Sequence, residues 1–312
     1  MLEKCKNIVN KFIDVLRLYR NVAIMNKRFC LMLRGTIQRG ICMKEQKREG
    51  KRNGRRKVSR VILGVIGVLL TAFVIVIAVN ASRNVKAMNR SIDAVLEELK
   101  KTYTVTQISP EEYEEMKMYG IMKFKVEQYC IEELGNLSVM RVNMGVMQMA
   151  TIVITPKDKN VPLMSADYMY ILSNRKSYLE FYDVVQNKDA VYMQLVAKLS
   201  DVIEMYNHLE DFEASEAWYE HLLSVDAYKA GKPKDDADAE QMLRESVRVY
   251  LDHAKELPEL NAEEKNEKKN ITLAYTDGLI EKGGISTDVF KKELGPEVTK
   301  DFFDRVFFGT LR

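Results

Sequence analysis

An uncharged apolar run near the N-terminus constrains this chain more than any other feature. Residues 61–79 have the sequence VILGVIGVLLTAFVIVIAV, which is 19 consecutive positions without an ionisable side chain. As a helix that rises about 1.5 Å per residue, such a run is long enough to cross the hydrocarbon core of a bilayer. Leu and β-branched residues cover every face of that helix, which argues against the core helix of a globular domain. The run therefore predicts a single transmembrane helix.

The charges that flank this run predict its orientation. Residues 1–60 hold 18 Lys and Arg against 4 Asp and Glu, although the whole chain of 312 residues has a net charge of only +3. Basic residues collect on the cytoplasmic side of a span, so we expect 1–60 in the cytoplasm and 81–312 outside the cell membrane. A cleaved signal peptide is the competing interpretation, but AVNAS at 78–82 is a poor cleavage site. We attribute the basic cluster beside the span to contact with lipid head groups and to the orientation of the helix, and not to nucleic-acid binding.

Residues 1–42 have two alternative explanations. A basic segment with apolar residues at near-helical spacing is typical of a helix that lies on a membrane surface. Alternatively, translation begins at Met43, where the sequence MKEQKREGKRNGRRKVSR forms an ordinary short basic leader. We prefer the second explanation, because the predicted membrane topology does not require residues 1–42.

Cysteine and histidine usage limits the chemistry of the outer domain. Only Cys130 lies beyond the span, so the domain must be held together by its core and not by a disulfide. The three histidines, His208, His221 and His253, show no metal-ligand spacing. No metal site is therefore expected.

The order of predicted elements beyond the span indicates an α+β domain over 109–312. A helix over 84–102, within a juxtamembrane segment 80–108, is either a stalk or the first helix of that domain. Five segments rich in Val, Ile, Tyr and Phe predict an antiparallel meander: 121–134, 137–143, 146–155, 166–173 and 177–185. Helical spacing then follows in 188–207, 213–230, 238–256, 264–282 and 296–307. Strands in one block and helices in another predict a central antiparallel sheet covered by helices on both faces, an αβα sandwich.

One predicted strand carries an aspartate on a sheet face. Alternation along the strand places Met169 and Ile171 on the same face as Asp167 and turns Tyr168 to the other face. A carboxyl group on a face that helices cover is desolvated, which raises its pKa and suits it to donate a proton. The alternative is that Asp167 only caps the turn after Pro162, and that its two neighbours are plain core.

The next predicted strand ends in a second acid, Asp183. Alternation places Phe181 on the face of Asp183 and turns Tyr182 the other way. Phe181 is therefore expected on the face of Asp183, as Met169 and Ile171 are on that of Asp167.

Two segments of the outer domain carry a distinctive order of strands, turns and prolines. The first, 151–172, consists of TIVITP at 151–156, KDKN at 157–160, VPLMSAD at 161–167 and YMYIL at 168–172. The second is GGISTDVFKKELGPEVTKDFFDRVFFG at 283–309. An apolar strand that ends in proline, a polar link, a second proline and a strand with an aspartate resembles the ferredoxin-dependent bilin reductases and the red chlorophyll catabolite reductases. The C-terminal segment is also similar to this family, and the resemblance covers 120–312.

The resemblance implies a fold, a ligand and a set of roles. It implies an antiparallel sheet between helices that binds a linear tetrapyrrole without flavin or metal and reduces it in one-electron and proton steps. It implies that Asp167 donates protons and that Asp183 is the acid ending the following strand. Thr151 stands where some members carry a histidine. The residues expected to contact the ligand, on the face that carries the two aspartates, are Thr151, Met169, Ile171 and Phe181. The family's electron donor, ferredoxin, is not available outside a cell, so an outward-facing domain needs another donor protein.

Three functions stay open at this point. The domain is a bilin-type oxidoreductase, a ligand-binding or sensing module that performs no redox chemistry, or a cell-envelope protein that binds other proteins. The aspartate and the C-terminal resemblance favour the first two, whereas Thr151 and the missing electron donor favour the last two. The partners expected are the lipid bilayer, a linear tetrapyrrole and an electron-donor protein, with no nucleic acid.

Overall fold

The structure is a computed structural model that describes residues 52–120, 122–284 and 287–312, with side chains described from residue 64 onward. The two explanations for 1–42 lie outside the described residues, as does most of the basic segment. The described residues fall into two units, one that ends at Ala72 and one that spans Phe73–Arg312.

The first helix, α1, runs from Arg52 to Thr102 and contains the apolar run. Within Gly64–Thr102 it is long and apolar enough to cross a membrane, by length and composition, and only 6% of its most apolar window is buried. Val68, Leu69 and Val74 are each more than half exposed. A core helix would bury these side chains, so this part of α1 does not belong to a hydrophobic core.

The C-terminal part of α1 is the first helix of the domain and not a free stalk. Ile92, Val95 and Leu99 recur at spacings of three and four residues, so they form one stripe along the helix. All three are at most 1% exposed and belong to the main hydrophobic core.

A nine-stranded antiparallel sheet forms the centre of the domain. Its strands are β1 Val105–Ile108, β2 Glu115–Met118, β3 Met122–Ile131, β4 Gly135–Asn143, β5 Met147–Pro156, β6 Leu163–Ile171, β7 Asn174–Tyr182, β8 Glu210–Asp211 and β9 Leu223–Gly231. The order across the sheet is β1-β3-β4-β5-β6-β7-β9-β8, and β2 also pairs with β3. Strands β3 to β7 are sequential neighbours, so the predicted five-stranded meander is confirmed.

The predicted helix over 213–230 is wrong. This segment contains a 3-10 turn, Glu220–Leu222, and then strand β9. β9 pairs with β7 along nearly its whole length and buries Val225 and Ala227 in the core. Residues of this segment have helical spacing, but pairing with the open edge of β7 makes part of it a strand. Strand formation often depends on packing in the sheet more than on the intrinsic propensity of the segment.

The remaining helices cover both faces of the sheet. They are α2 Ala190–Glu204, α3 Asp236–Glu256, α4 Ala262–Lys282, α5 Thr287–Leu294 and α6 Pro296–Phe302, followed by a π-helical turn, Phe303–Phe307. Helices α1, α2 and α3 share one core with the first face. On the second face, Ser138 Oγ donates to the carbonyl of Phe307 at 2.6 Å, and Gln128 Nε2 donates to that of Arg305 at 2.9 Å. The sheet therefore lies between two helical layers, as predicted.

An ion cluster around the buried carboxylate of Glu98 connects α1 to α3. The carboxylate of Glu98 accepts hydrogen bonds from Arg244 and Arg248, both at 3.2 Å, and from Lys101 at 2.8 Å. Burial alone would raise the pKa of Glu98, but the hydrogen bonds from Arg248, Lys101 and Arg244 more than offset this and hold it at about 2. Glu98 is therefore ionised throughout the neutral range and links the two helices.

Candidate ligand-binding site

The register between β6 and β7 decides which side chains share a face with Asp167. The strands are joined by a turn of only two residues, 172–173, because Ile171 pairs directly with Asn174. The pairs on the face of interest are Asp167–Tyr178, Ser165–Glu180 and Leu163–Tyr182. Directly opposed residues project to the same side of a sheet, so even-numbered residues of β7 join odd-numbered residues of β6.

Two expectations about β7 are therefore corrected. Phe181 was expected beside Asp167, but it pairs with Met164, is fully buried and packs 5.8 Å from the ring of Tyr250 on α3. Tyr182 was expected to point away and instead lies on the Asp167 face. Alternation determines which residues of one strand share a face, whereas the length of the turn determines which residues of the two strands are paired.

Along β6 itself the alternation is as predicted. Asp167 and Met169 face the second helical layer, whereas Tyr168 and Tyr170 belong to the core on the first face. Ile171, which was expected to contact the ligand, lies at the end of the strand and is 42% exposed, away from the other residues of this face.

Asp183 lies beyond the end of β7 and apart from Asp167. Its carboxylate forms an ion pair with Lys188, and its backbone N–H donates to the carbonyl of Leu222 at 2.6 Å. The structure therefore does not bring the two predicted aspartates together.

A cavity lies between the Asp167 face and the C-terminal helices. The space between its walls, with the open mouth included, is about 950 Å³. Its sheet wall consists of Met140, Met149, Thr151, Val153, Leu163, Ser165, Asp167, Tyr168, Met169, Tyr178, Glu180 and Tyr182. Its helical wall consists of Tyr219, Tyr275, Leu279, Gly284, Thr287, Phe290, Phe302, Phe303, Phe307 and Phe308.

The carboxyl group of Asp167 is held by two hydroxyl groups. Thr151, directly opposite on β5, donates its hydroxyl to Oδ1, and Ser165 Oγ donates to Oδ2 at 3.1 Å. Burial raises the pKa of Asp167, and the two hydroxyl donors offset only part of that rise. Asp167 therefore holds a proton more readily than an exposed aspartate, in a fixed orientation.

Glu180 is a second acid in the cavity that the sequence analysis missed. Its carboxylate accepts hydrogen bonds from Tyr182 at 2.7 Å and from Tyr228 on β9 at 2.9 Å. Burial and the nearby charge of Asp167 raise the pKa of Glu180 to about 7, although the tyrosine hydroxyls oppose the rise. Two carboxyl groups on neighbouring strands thus line one cavity, and one of them titrates near neutral pH.

Aromatic rings form most of the opposite wall. The ring of Tyr275 on α4 lies 4.9 Å from that of Tyr182, and the rings of Phe303 and Phe307 lie 5.4 Å apart within the π-helical turn. π-helical turns occur frequently at functional sites, and this one directs successive phenylalanines into the cavity. Stacked and edge-on rings opposite a sheet suit a flat conjugated ligand.

The loop that carries Tyr219 is fixed against α4 by Trp218. The indole Nε1 donates to the carbonyl of Gly283 at 2.8 Å. Its ring lies so close to Gly278 that a Cβ there would be 2.3 Å from the ring. Glycine at 278 therefore allows the close approach that places Tyr219 at the cavity.

Comparisons with known proteins support the fold alone. A scan against models of known protein families finds no match to the chain, and no curated protein matches it significantly. Among solved structures, phytochromobilin synthase from tomato, crystallised in complex with biliverdin, is similar with a TM-score of 0.58 and 12% sequence identity. The match covers 70% of this chain and 82% of that chain. The chain therefore has a fold like that of the ferredoxin-dependent bilin reductases.

Proposed function

We propose that the unit Phe73–Arg312 binds a linear tetrapyrrole in the cavity between the sheet and the C-terminal helices. The observation that carries the proposal is the pair of half-buried acids, Asp167 and Glu180, which face an aromatic wall in a bilin-reductase-like fold. A linear tetrapyrrole is flat and conjugated, so aromatic rings pack well on it. Its pyrrole N–H groups need acceptors when they leave water, and carboxylates are strong acceptors.

In this proposal Asp167 is also the proton donor when the pigment is reduced. An external redox protein supplies each electron, and the protonated Asp167 carboxyl supplies the first accompanying proton. The raised pKa of Asp167 favours the protonated form that this step requires. Thr151 and Ser165 hold the carboxyl group in one orientation, which keeps the donor aligned with the ligand.

A visible-range titration of the full chain in detergent, with biliverdin and with haem, tests the binding step. We expect saturable binding of biliverdin with a shifted spectrum. Under anaerobic conditions with reduced ferredoxin, Asp167→Asn should still bind the pigment but reduce it at least about 100-fold more slowly than wild type. Asp183→Asn, which changes an acid outside the cavity, is the matched control and should behave as wild type. If neither pigment binds, the tetrapyrrole function is refuted, and protein partners in the cell envelope become the next candidates.

A second candidate function is pigment binding without reduction. The observation that favours it is Thr151, whose hydroxyl occupies the position beside Asp167 where some bilin reductases have a histidine. Among the described residues that line the cavity, no histidine replaces it. A bound pigment whose spectrum stays unchanged under the reducing conditions above would select this function over the enzyme.

We further propose that α1 anchors the domain in a membrane, with the N-terminus in the cytoplasm and the domain outside. The exposed apolar side chains of α1 and the 18 basic residues within 1–60 support this arrangement. Resistance to carbonate extraction would test the anchor, and a C-terminal reporter active only outside the cytoplasm would test the orientation. A reporter active only in the cytoplasm would overturn the orientation and would place the domain where ferredoxin is available.

A further inference from the structure

The charges that line the cavity are all of one sign. Asp167 and Glu180 are its acidic side chains, and the described residues that line it include no Lys, Arg or His. The gaps in the description of this unit, at 121 and 285–286, correspond to Ile, Ile and Ser in the sequence, so they add no basic group. The walls therefore offer no cation to a negatively charged ligand.

The aromatic wall also disfavours a negatively charged ligand. The faces of aromatic rings carry negative electrostatic potential and attract cations. Tyr219 and Tyr275 pack within 6.1 Å of each other on the side opposite the two acids. The hydroxyls of Tyr182 and Tyr228 already donate to Glu180. A ligand carboxylate turned toward these walls would be desolvated without a charged partner, which is strongly unfavourable.

We propose that the cavity selects its ligand by charge, accepting a flat ring system that is neutral or cationic and rejecting one that turns carboxylates toward its walls, with Glu180 as the residue that sets the preference. This inference rests on the proposed tetrapyrrole function and narrows its substrate class. A bilin carries two acidic side chains, and even where these reach the mouth of the cavity the uncompensated charge of its acids repels them, so the esterified pigment binds more tightly. The ring system, with its N–H groups, occupies the space between the acids and the aromatic wall.

Biliverdin and its dimethyl ester have the same ring system and differ in charge, so they test this selection directly. Both are titrated at pH 8 into the full chain in one detergent, as wild type, Glu180→Gln and Glu210→Gln. Glu210 is an exposed acid on the edge strand β8 and serves as the matched control. We expect wild type to bind the ester about tenfold more tightly than the free acid, since one unpaired charge near a buried acid is worth at least that ratio. Glu180→Gln should reduce the ratio at least about threefold through tighter binding of the free acid, and Glu210→Gln should leave it unchanged.

Two flat dyes separate the charge preference from the tetrapyrrole function. Proflavine is a cation and fluorescein is an anion at pH 8, and neither is a pyrrole pigment. We expect wild type to bind proflavine in preference to fluorescein, and Glu180→Gln to lose most of that preference.

Each outcome decides between the proposals. The charge selection is overturned if wild type binds free biliverdin as tightly as the ester, or if the ester preference is the same in Glu180→Gln, because the preference would then reflect the hydrophobicity of the ester. If neither pigment binds but proflavine binds in a Glu180-dependent way, the tetrapyrrole function fails and the charge selection stands. If none of the four compounds binds, both are refuted.

Discussion

Replacing Glu180 by Gln should change how the stability of the protein depends on pH. The pKa of Glu180 is about 7 in the folded protein, because of burial and the charge of Asp167, against an ordinary value of 4.5. Between these two values the folded state holds a proton that the unfolded state has lost, so the free energy of unfolding falls by about 1.4 kcal/mol per pH unit as pH rises. Over the full interval this amounts to about 3 kcal/mol, which screening through the open mouth of the cavity reduces to about 2 kcal/mol.

Gln removes this titration and also the acceptor for one tyrosine, at a constant cost of about 1 kcal/mol. Glu180→Gln should therefore be less stable than wild type at pH 4 by about 1 kcal/mol and more stable at pH 8 by a similar amount. Urea unfolding followed by the fluorescence of Trp218, the single tryptophan of the chain, measures both values. Glu210→Gln controls for a general effect of losing an acid. A difference between variant and wild type that stays constant from pH 4 to pH 8 would refute the argument.

Two other buried charged groups should leave similar signatures in the same unfolding assay. Lys268 is fully buried on α4 and donates to the carbonyls of Val161 at 2.7 Å and Val184 at 2.5 Å, and burial lowers its pKa to about 7. The unfolded state therefore binds one more proton above pH 7, so wild-type stability should rise by about 4 kcal/mol from pH 7 to pH 10 relative to Lys268→Met, and equal slopes would contradict this. Glu98, with a pKa of about 2, should stabilise the fold above pH 4.5 and lose that contribution as pH falls toward 2. Because Arg248 is 47% exposed, solvent screening limits the effect to about 2 kcal/mol, and Glu98→Gln should lack the acid-dependent loss that wild type shows.

The sheet was largely predictable because its central strands are adjacent in sequence. Turn signals separate β3 to β7, and alternation within each strand is a local property, so both could be recognised without knowledge of the fold. Strand β9 differs, because its partner β7 lies more than 40 residues earlier in the chain. The segment 213–230 offers helical spacing locally, and only the open edge of β7 determines that part of it becomes a strand.

Only the part of the site that lies on strand β6 could be predicted from the sequence. Asp167 and Met169 follow from alternation on β6, but Glu180 and Tyr182 depend on the length of the turn between β6 and β7. That turn contains no glycine, and Leu172 adopts a φ of 54°, a left-handed conformation that is uncommon for a residue other than glycine. Ser173 and Asn174 mark a turn, but without a glycine they do not indicate that only two residues intervene. The helical wall could not be predicted for another reason. Tyr275 and Phe302 pack against sheet residues that are distant from them in the sequence.

The arrangement around Asp167 also bears on whether the domain reduces its ligand. On β5, the hydroxyl of Thr151 lies beside Asp167, and it cannot accept and release a proton near neutral pH as an imidazole does. On β7, the other neighbour of β6, Glu180 has a pKa of about 7, which is close to the ordinary pKa of a histidine. A reductase on this scaffold would therefore draw its second proton from Glu180. In that case Glu180→Gln would stop reduction after the first proton-coupled step while pigment binding persists. If the bound pigment is reduced at the same rate in wild type and Glu180→Gln, Glu180 serves recognition alone. Reduction assays of Asp167→Asn and Glu180→Gln, each with the pigment bound, therefore separate the contributions of the two proton donors.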